Sequence, residues 1–200
     1  SYHVREGKSE PAEWRSVMNR EVLYRLLEPY RVHILSGHTH ESEHLFDSGR
    51  HEHVLGAVCG AWWSGPICAD GTPCGYAVYE MNGEQVRWRY KSTGKSADHQ
   101  LRLYPRGSAR EEPDAIVANV WDWDPEWKLL WYEDGARRGA LRPRRGSDPL
   151  SVELHAGADK PPRRKWVEPY PVDHLFLIPA SAKARRVTVE ATDRFGRVFA

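Results

Sequence analysis

The 200-residue sequence lacks a long apolar run, a strong net charge and a visible targeting segment. No stretch approaches the roughly 18 apolar residues that a membrane-spanning helix needs, so we expect no transmembrane segment. The 29 basic and 28 acidic side chains leave a formal charge of +1, which does not specifically indicate a nucleic-acid partner. The chain starts with polar residues and shows no signal peptide.

Cysteine is also scarce. The chain has three, Cys59, Cys68 and Cys74, and their spacing matches no zinc motif. Either Cys68 and Cys74 form a disulfide around the loop between them, or all three are reduced and partly buried thiols. The spacing does not decide between these alternatives.

The first part of the chain has the pattern of a helix followed by a strand. Apolar residues recur at helical spacing from Trp14 to Tyr30, after a start signal near Pro11, and Pro29 predicts the end of the helix. The segment 32–36, VHILS, predicts a short buried strand. A helix and a strand that ends in polar residues are typical of an α/β layer with its site on the loops.

Helical periodicity then disappears, and eight short segments rich in Val, Tyr and Trp alternate with turn residues. Asn82-Gly83 between two of them predicts a hairpin. Strands at this spacing favour an antiparallel β-sandwich. The Pro-, Gly- and Arg-rich segments 136–149 and 157–171 are interpreted as exposed loops whose basic residues form a solvated face or an anion site.

Histidine is concentrated in residues 33–44, which hold four of the ten in the chain. His38 and His40 lie one residue apart after Gly37, so both can point at one metal ion. Neutral imidazole suits Mn, Fe, Zn or Ni, and in a two-metal site one ion can activate water while both bind a phosphoryl oxygen. The alternative is a polar surface turn. The remaining histidines nearby are interpreted as strand-surface residues rather than ligands, namely His33, His44, His51 and His53.

Gly-His-Thr-His at the end of a strand resembles the last motif of calcineurin-like metallophosphoesterases. Further segments resemble the C-terminal region of a bacterial group of these enzymes, namely GAWWSG, DGTPCGYAVYEMNG, WRYKSTG, IVANVWDWDPEWKLLWYEDG and VEATDRFGRVF. The resemblance spans nearly all of residues 32–200. It implies a mainly β fold, with an antiparallel β-sandwich-like C-terminal domain after a short α/β remnant. We place the remnant at 1–55 and the β-rich domain at 56–200, with an alternative boundary near 92.

The resemblance implies a metal-dependent hydrolase of phosphate mono- or diesters, with two divalent ions (Mn, Fe, Zn or Ni) per site in the intact enzyme. It assigns His38 and His40 to the metal centre. His40 would be the side-chain ligand, and His38 would ligate through its backbone or contact the phosphate as the catalytic histidine. The family's aspartate-containing motifs are not found, and His3 lacks the usual following proline.

We therefore expect a C-terminal piece that is inactive alone. The piece would take the N-terminal part of the catalytic domain as its partner and a phosphoester as its substrate. Similar bacterial enzymes are often exported, so a periplasmic or secreted location is expected, with the cytoplasm as the alternative.

Two tryptophan-rich stretches leave alternatives open. Trp63 and Asp70 either line the substrate pocket or belong to packing and a turn. The tryptophans between Trp121 and Trp131 either pack in the core or form an exposed platform for sugars. The platform would make the chain a non-catalytic ligand- or carbohydrate-binding module, which is the alternative function.

Overall fold

Two short helices and thirteen strands make up the regular structure of the described residues. The structure, a computed structural model, describes residues 17–158, 160 and 164–200. In chain order the elements are α1 (Arg20–Leu27), β1 (Val32–Ser36), β2 (Glu43–Asp47), β3 (Arg50–Val54), β4 (Gly75–Asn82), β5 (Gln85–Ser92), β6 (Leu101–Tyr104), β7 (Ile116–Val120), β8 (Lys128–Glu133), β9 (Ala136–Ala140), β10 (Arg142–Ser147), α2 (Pro149–Ala156), β11 (Pro171–Ile178), β12 (Val187–Thr192) and β13 (Val198–Phe199).

The predicted helix is shorter than its periodicity indicates. Residues up to 16, which include Trp14 and His3, lie outside the described residues, and residues 17–19 form a turn before α1. The helix ends at Leu27, two residues before Pro29. Glu28 still has helical backbone angles, but Pro29 has no amide hydrogen with which to continue the helix. No residue of α1 is buried, and Val22 and Leu26 are exposed. No helix in the described part of the chain is long and apolar enough to cross a membrane.

The next three strands form a small mixed sheet in the order β1-β3-β2. The predicted strand 32–36 is confirmed as β1, but its predicted burial is wrong, because no residue of β1 is buried and Leu35 is exposed. β1 pairs in parallel with β3, while β2 pairs antiparallel with β3. The predicted hairpin is confirmed as well. β4 and β5 pair along eight residues each and turn at Gly83, whose φ of +58° suits a residue without a Cβ.

Two four-stranded antiparallel sheets follow, with the strand orders β10-β11-β7-β6 and β13-β12-β8-β9. They pack face to face around one apolar core, so the predicted β-sandwich is confirmed. The core includes Trp127 and Trp131, and Trp121 is only 1% exposed. Core packing of these tryptophans is therefore confirmed, and the exposed sugar platform is wrong.

The interpretation of 136–149 as a loop is wrong, because this segment forms β9, β10 and the start of α2. Its Pro-, Gly- and Arg-rich composition is that of two strands at the edges of their sheets. Pro143 cannot donate a ladder hydrogen bond and exposed arginines discourage pairing with another chain, so both suit the outer strand of a sheet. Helix α2 begins after Asp148, whose carboxylate accepts a hydrogen bond from the Ser151 amide.

The cysteines do not pair. Cys59, Cys68 and Cys74 are free thiols, so the disulfide alternative is wrong and the reduced, partly buried one is confirmed. Burial raises the pKa of Cys68 well above its usual value and also raises that of Cys74. Both thiols are therefore protonated at neutral pH and pack as small apolar side chains.

Candidate functional site

The Gly-His-Thr-His segment forms a strained turn immediately after β1. His38 and His40 have φ values of +86° and +56°, in the left-handed region that side chains with a Cβ seldom adopt. Each such residue costs about 1–3 kcal/mol and persists only where its surroundings hold it. Two such residues within three positions show that the surrounding structure holds this loop in a defined conformation.

The imidazole of His40 is held in one orientation and one tautomer. Its Nδ1 lies 2.7 Å from the Gly60 carbonyl oxygen, which can only accept, so Nδ1 carries the proton and donates. The ring also stacks on the Trp62 indole, with 4.0 Å between centroids and 11° between planes. The proton on Nδ1 leaves the Nε2 lone pair available to a metal ion, as in histidine ligands oriented by a backbone carbonyl.

A second strained turn, residues 60–63, lies against the first. Gly60, Trp62 and Trp63 all have φ close to +60°. At Gly60 a Cβ would lie 2.6 Å from the Ile67 carbonyl oxygen and 2.8 Å from the Cys74 Sγ, so only glycine fits. The position of the carbonyl that orients His40 is therefore determined by close backbone packing.

The two tryptophans of this turn have different environments. Trp62 contacts His40, lies edge-on to His38 at 6.2 Å and packs against Trp166 at 5.2 Å. Trp63 is 71% exposed. Its exposed indole is next in sequence to the residue that touches both histidines, so it can contact a ligand there, and its role in substrate binding stays a prediction.

Asp70 lies in the interior. Its carboxylate accepts hydrogen bonds from the Ser42 amide at 2.7 Å, the Thr72 amide at 2.9 Å and the Thr72 hydroxyl at 2.7 Å. The residue is fully buried, so this geometry gives its predicted contact with substrate no support. Ser42 follows the histidine loop by two residues, and Asp70 therefore anchors the chain that leaves that loop.

A buried polar network extends from Asp70 to side chains of the β10-β11-β7-β6 sheet. The Asn119 amide donates to the Asp148 carboxylate at 2.8 Å and to the Asp70 carbonyl at 3.1 Å, and its oxygen accepts from His174 at 2.8 Å. The Tyr104 hydroxyl also donates to Asp148. Burial raises the pKa of Asp148, and its hydrogen bonds from Asn119, Tyr104 and the Ser151 amide oppose that effect. These bonds connect the histidine loop to the β-sandwich.

Four further histidines lie on one face of the β1-β3-β2 sheet. Their interpretation as strand-surface residues is wrong for His44, His51 and His53, whose side chains are buried, and holds for His33, which is exposed. The registers place His51 between His33 and Phe46, and His53 between Leu35 and His44. We call His33, His44, His51 and His53 the histidine face. His51 and His53 are buried, the His44 side chain is 4% exposed, and His33 is exposed at the edge.

The histidine face is closely packed. His33 Nδ1 lies 3.0 Å from His53 Nε2, and His44 Nδ1 lies 2.9 Å from His51 Nε2. The Trp88 ring lies 4.6 to 5.9 Å from all four imidazoles. The period-two pattern His51-x-His53 has the same spacing as His38-x-His40 and was the sequence signal for a shared face.

The charge state of the histidine face follows from its burial. Desolvation, followed by the neighbouring His44 and Arg194, lowers the pKa of His51 to about 2. Burial is also the main cause that lowers the pKa of His53 and of His33. These three imidazoles are therefore neutral at physiological pH, and each keeps one nitrogen lone pair.

Comparison with known families gives a match to this chain. The family described as C terminal of Calcineurin-like phosphoesterase matches residues 52–199, nearly three quarters of the sequence. The match begins within β3, so the histidine loop lies before it. Neither the curated proteins nor the solved structures compared with the chain gave a match.

Proposed function

The chain belongs to the family of C-terminal regions of calcineurin-like phosphoesterases, and from this premise we propose that its histidine loop contributes to a phosphoesterase metal centre. The reaction would be hydrolysis of a phosphate mono- or diester. The preformed orientation of His40 is the observation that carries the proposal. A surface turn without a ligand has no need to hold an imidazole by both a hydrogen bond and a stacked indole.

In this proposal His40 is the side-chain ligand through Nε2. His38, which is exposed and follows Gly37 directly, contributes its backbone to the metal or contacts the phosphate as the catalytic histidine. The exposed Trp63 would pack against the organic part of the substrate. Asp70 would act indirectly, because its hydrogen bond to the Ser42 amide anchors the end of the loop that carries both histidines.

Two divalent ions of the kind that imidazole binds, Mn, Fe, Zn or Ni, would activate water and stabilise charge on the phosphoryl oxygens when bound. Two imidazoles cannot hold them tightly without carboxylates. Across the residues that the structure describes, His38 and His40 do not belong to any group of three or more His, Cys, Asp and Glu side chains close enough to share an ion. We therefore propose that the 200 residues alone are inactive and need additional ligands.

Helix α1 offers a surface on which the rest of the catalytic domain, the source of those ligands, can pack. Helix α1 buries no residue, and four apolar side chains in and around it are exposed, namely Met18, Val22, Leu26 and Tyr30. An exposed apolar stripe of this kind is typical of a surface that packs against another part of a protein. In this proposal the rest of the catalytic domain packs there.

The test has two measurements. Long-range ¹H–¹⁵N spectra of the chain should show His40 as the Nδ1–H tautomer, and added Zn²⁺ should shift its Nε2 resonance. Hydrolysis of bis(p-nitrophenyl) phosphate with Mn²⁺ should be absent for the 200 residues. Metal-dependent turnover that His40→Ala removes would contradict the inactivity of the isolated chain, whereas an Nε2–H tautomer with no response to metal would contradict the role of His40.

A further inference from the structure

We propose that the histidine face is a second metal site, which binds one Zn²⁺ ion through imidazole nitrogens and is separate from the site that contains His40. His33, His51 and His53 form the group close enough to share an ion. We add His44 as a fourth donor, because its Nδ1 lies 2.9 Å from His51 Nε2. This site would hold together the small sheet that carries the histidine loop.

The donor nitrogens of three histidines lie close together. One nitrogen from each of His33, His51 and His53 lies within 4.8 Å of the other two. Zn–N bonds of about 2.0–2.1 Å in a tetrahedral site require nitrogens about 3.4 Å apart, so small side-chain rotations complete the set. The three donors come from β1 and β3, whose pairing in register places them side by side.

A buried nitrogen without a partner points independently to a ligand. His53 is fully buried, and its Nδ1 has no hydrogen-bond partner among the described residues. Buried polar atoms in native proteins almost always have a partner, and an exception indicates an unrecorded water or ion. His53 also belongs to the group of side chains that can share an ion, and its other nitrogen, Nε2, lies 3.0 Å from His33 Nδ1.

A carboxylate orients His44, as is common for histidines that bind metal ions. Its Nε2–H donates to the Asp122 carboxylate at 3.0 Å, so its Nδ1 keeps the lone pair. That lone pair points to His51 Nε2, 2.9 Å away, which must carry a proton when no ion is bound. An ion between the two rings would replace this proton, while the carboxylate continues to orient His44.

The surroundings cover the buried donors of the site and compensate the positive charge of the nearby Arg194. Trp88 covers the imidazoles, and the guanidinium of Arg194 lies 5.0 Å from its ring. Arg194 pairs with Asp124 at 2.7 Å and with Glu126 at 3.2 Å, so its charge is compensated. Asp122 adds one negative charge next to His44. Four nitrogen donors, of which only His33 is exposed, match a structural zinc site in which protein ligands fill all four positions.

The histidine face is distinct from the histidine loop. His33 is near the start of β1, and the loop follows Ser36 at its end. Three residues of strand separate them by about 10 Å, at roughly 3.3 Å per residue. The small sheet has few buried apolar side chains, Leu45 and Val54 among them, so an ion that crosslinks its strands would stabilise it and position β1.

The experiment uses the chain with His38→Ala and His40→Ala, which removes the other candidate ligands. Titration with Co²⁺, a spectroscopic substitute for Zn²⁺, should give the visible absorption of a four-coordinate site at one ion per chain, and Zn²⁺ should displace it. Adding His33→Gln, a change at an exposed position, should weaken Co²⁺ binding more than about 10-fold. Loss of a residue that only orients a ligand already costs about 10-fold or more, and His33 would be a ligand itself. Phe46→Leu, which alters the same face but removes no nitrogen, should leave binding unchanged.

Absence of the Co²⁺ spectrum from a chain with the circular dichroism of the parent would overturn the proposal. Co²⁺ binding that His33→Gln and His44→Gln leave unchanged would also overturn it. Both results are independent of the proposed phosphoesterase function, because the parent variant already lacks His38 and His40.

Discussion

Replacing Gly60 with alanine should destabilise the chain and disturb His40 together. Gly60 has a φ of +59°, and an added Cβ would lie 2.6 Å from the Ile67 carbonyl oxygen. The left-handed backbone alone costs an alanine about 1–2 kcal/mol. Overpacking against backbone adds about 1–3 kcal/mol, so we expect a total loss of roughly 2–5 kcal/mol in the free energy of unfolding.

Gly83→Ala is the matched control. Gly83 has nearly the same φ, +58°, but nothing lies within 4 Å of the position of its Cβ. This variant should therefore lose only the backbone contribution of about 1–2 kcal/mol. The difference between the two variants isolates the effect of close packing at Gly60.

Urea unfolding of both variants, followed by circular dichroism, measures the difference. The ¹⁵N spectrum of His40 provides the functional measurement. A displaced Gly60 carbonyl should release Nδ1 and change the tautomer equilibrium, whereas Gly83→Ala should not. Equal destabilisation of the two variants, or a His40 tautomer that Gly60→Ala leaves unchanged, would refute the reasoning that this backbone packing orients the histidine.

Three further predictions concern single side chains. Trp63→Ala should raise KM for a phosphodiester in an active enzyme that contains the chain. It should change the free energy of unfolding in urea by no more than about 0.5 kcal/mol, because the side chain is exposed. A large loss of stability would instead indicate that Trp63 packs in the fold. Burial lowers the pKa of His155 below its unfolded value of 6.5, so the unfolded state binds more protons and stability is lost as pH falls below that value. Unfolding measured across this range should be less pH-dependent in His155→Leu, and an unchanged slope would contradict this assignment. Asp122→Asn should weaken Co²⁺ binding at the histidine face about 10- to 100-fold, because the carboxylate orients His44. Co²⁺ titration of the variant measures this, and an unaltered affinity would show that Asp122 has no such role.

The regular part of the fold was predictable from local pattern. The apolar run at 32–36, the turn at Asn82-Gly83 and the Val- and Trp-rich segments all form the strands or hairpin that they indicate, although the run at 32–36 is not buried. Alternation with a period of two follows from strand geometry itself, so a strand can be recognised in the sequence without knowing which strands pair with it. The same pattern places Trp127 and Trp131 in the core.

Edge strands and buried polar groups were not predictable in this way. The segment 136–149 has the composition of a loop, and only pairing with β8 and β11 makes it strand. Asp70 has the sequence context of an exposed turn, yet its carboxylate accepts bonds from Ser42 and Thr72 in the interior. The bonds from Thr72 are local to the turn, whereas the bond from Ser42 and the strand partners of 136–149 come from residues distant in sequence, which no local pattern records.

The sequence by itself determined the sandwich, the position of the histidine loop after β1, and the resemblance that the family match supports. Only the tertiary structure decided what the histidines contact. The Gly60 carbonyl reaches His40 across 20 residues, and Asp122 reaches His44 across 78. The lateral register of β1, β2 and β3 brings four histidines that were expected on the surface onto one face, and only His33 among them stays exposed. The physical reason is that alternation determines which residues share a face of a strand, whereas strand pairing and the elements packed above determine whether that face is solvent or interior.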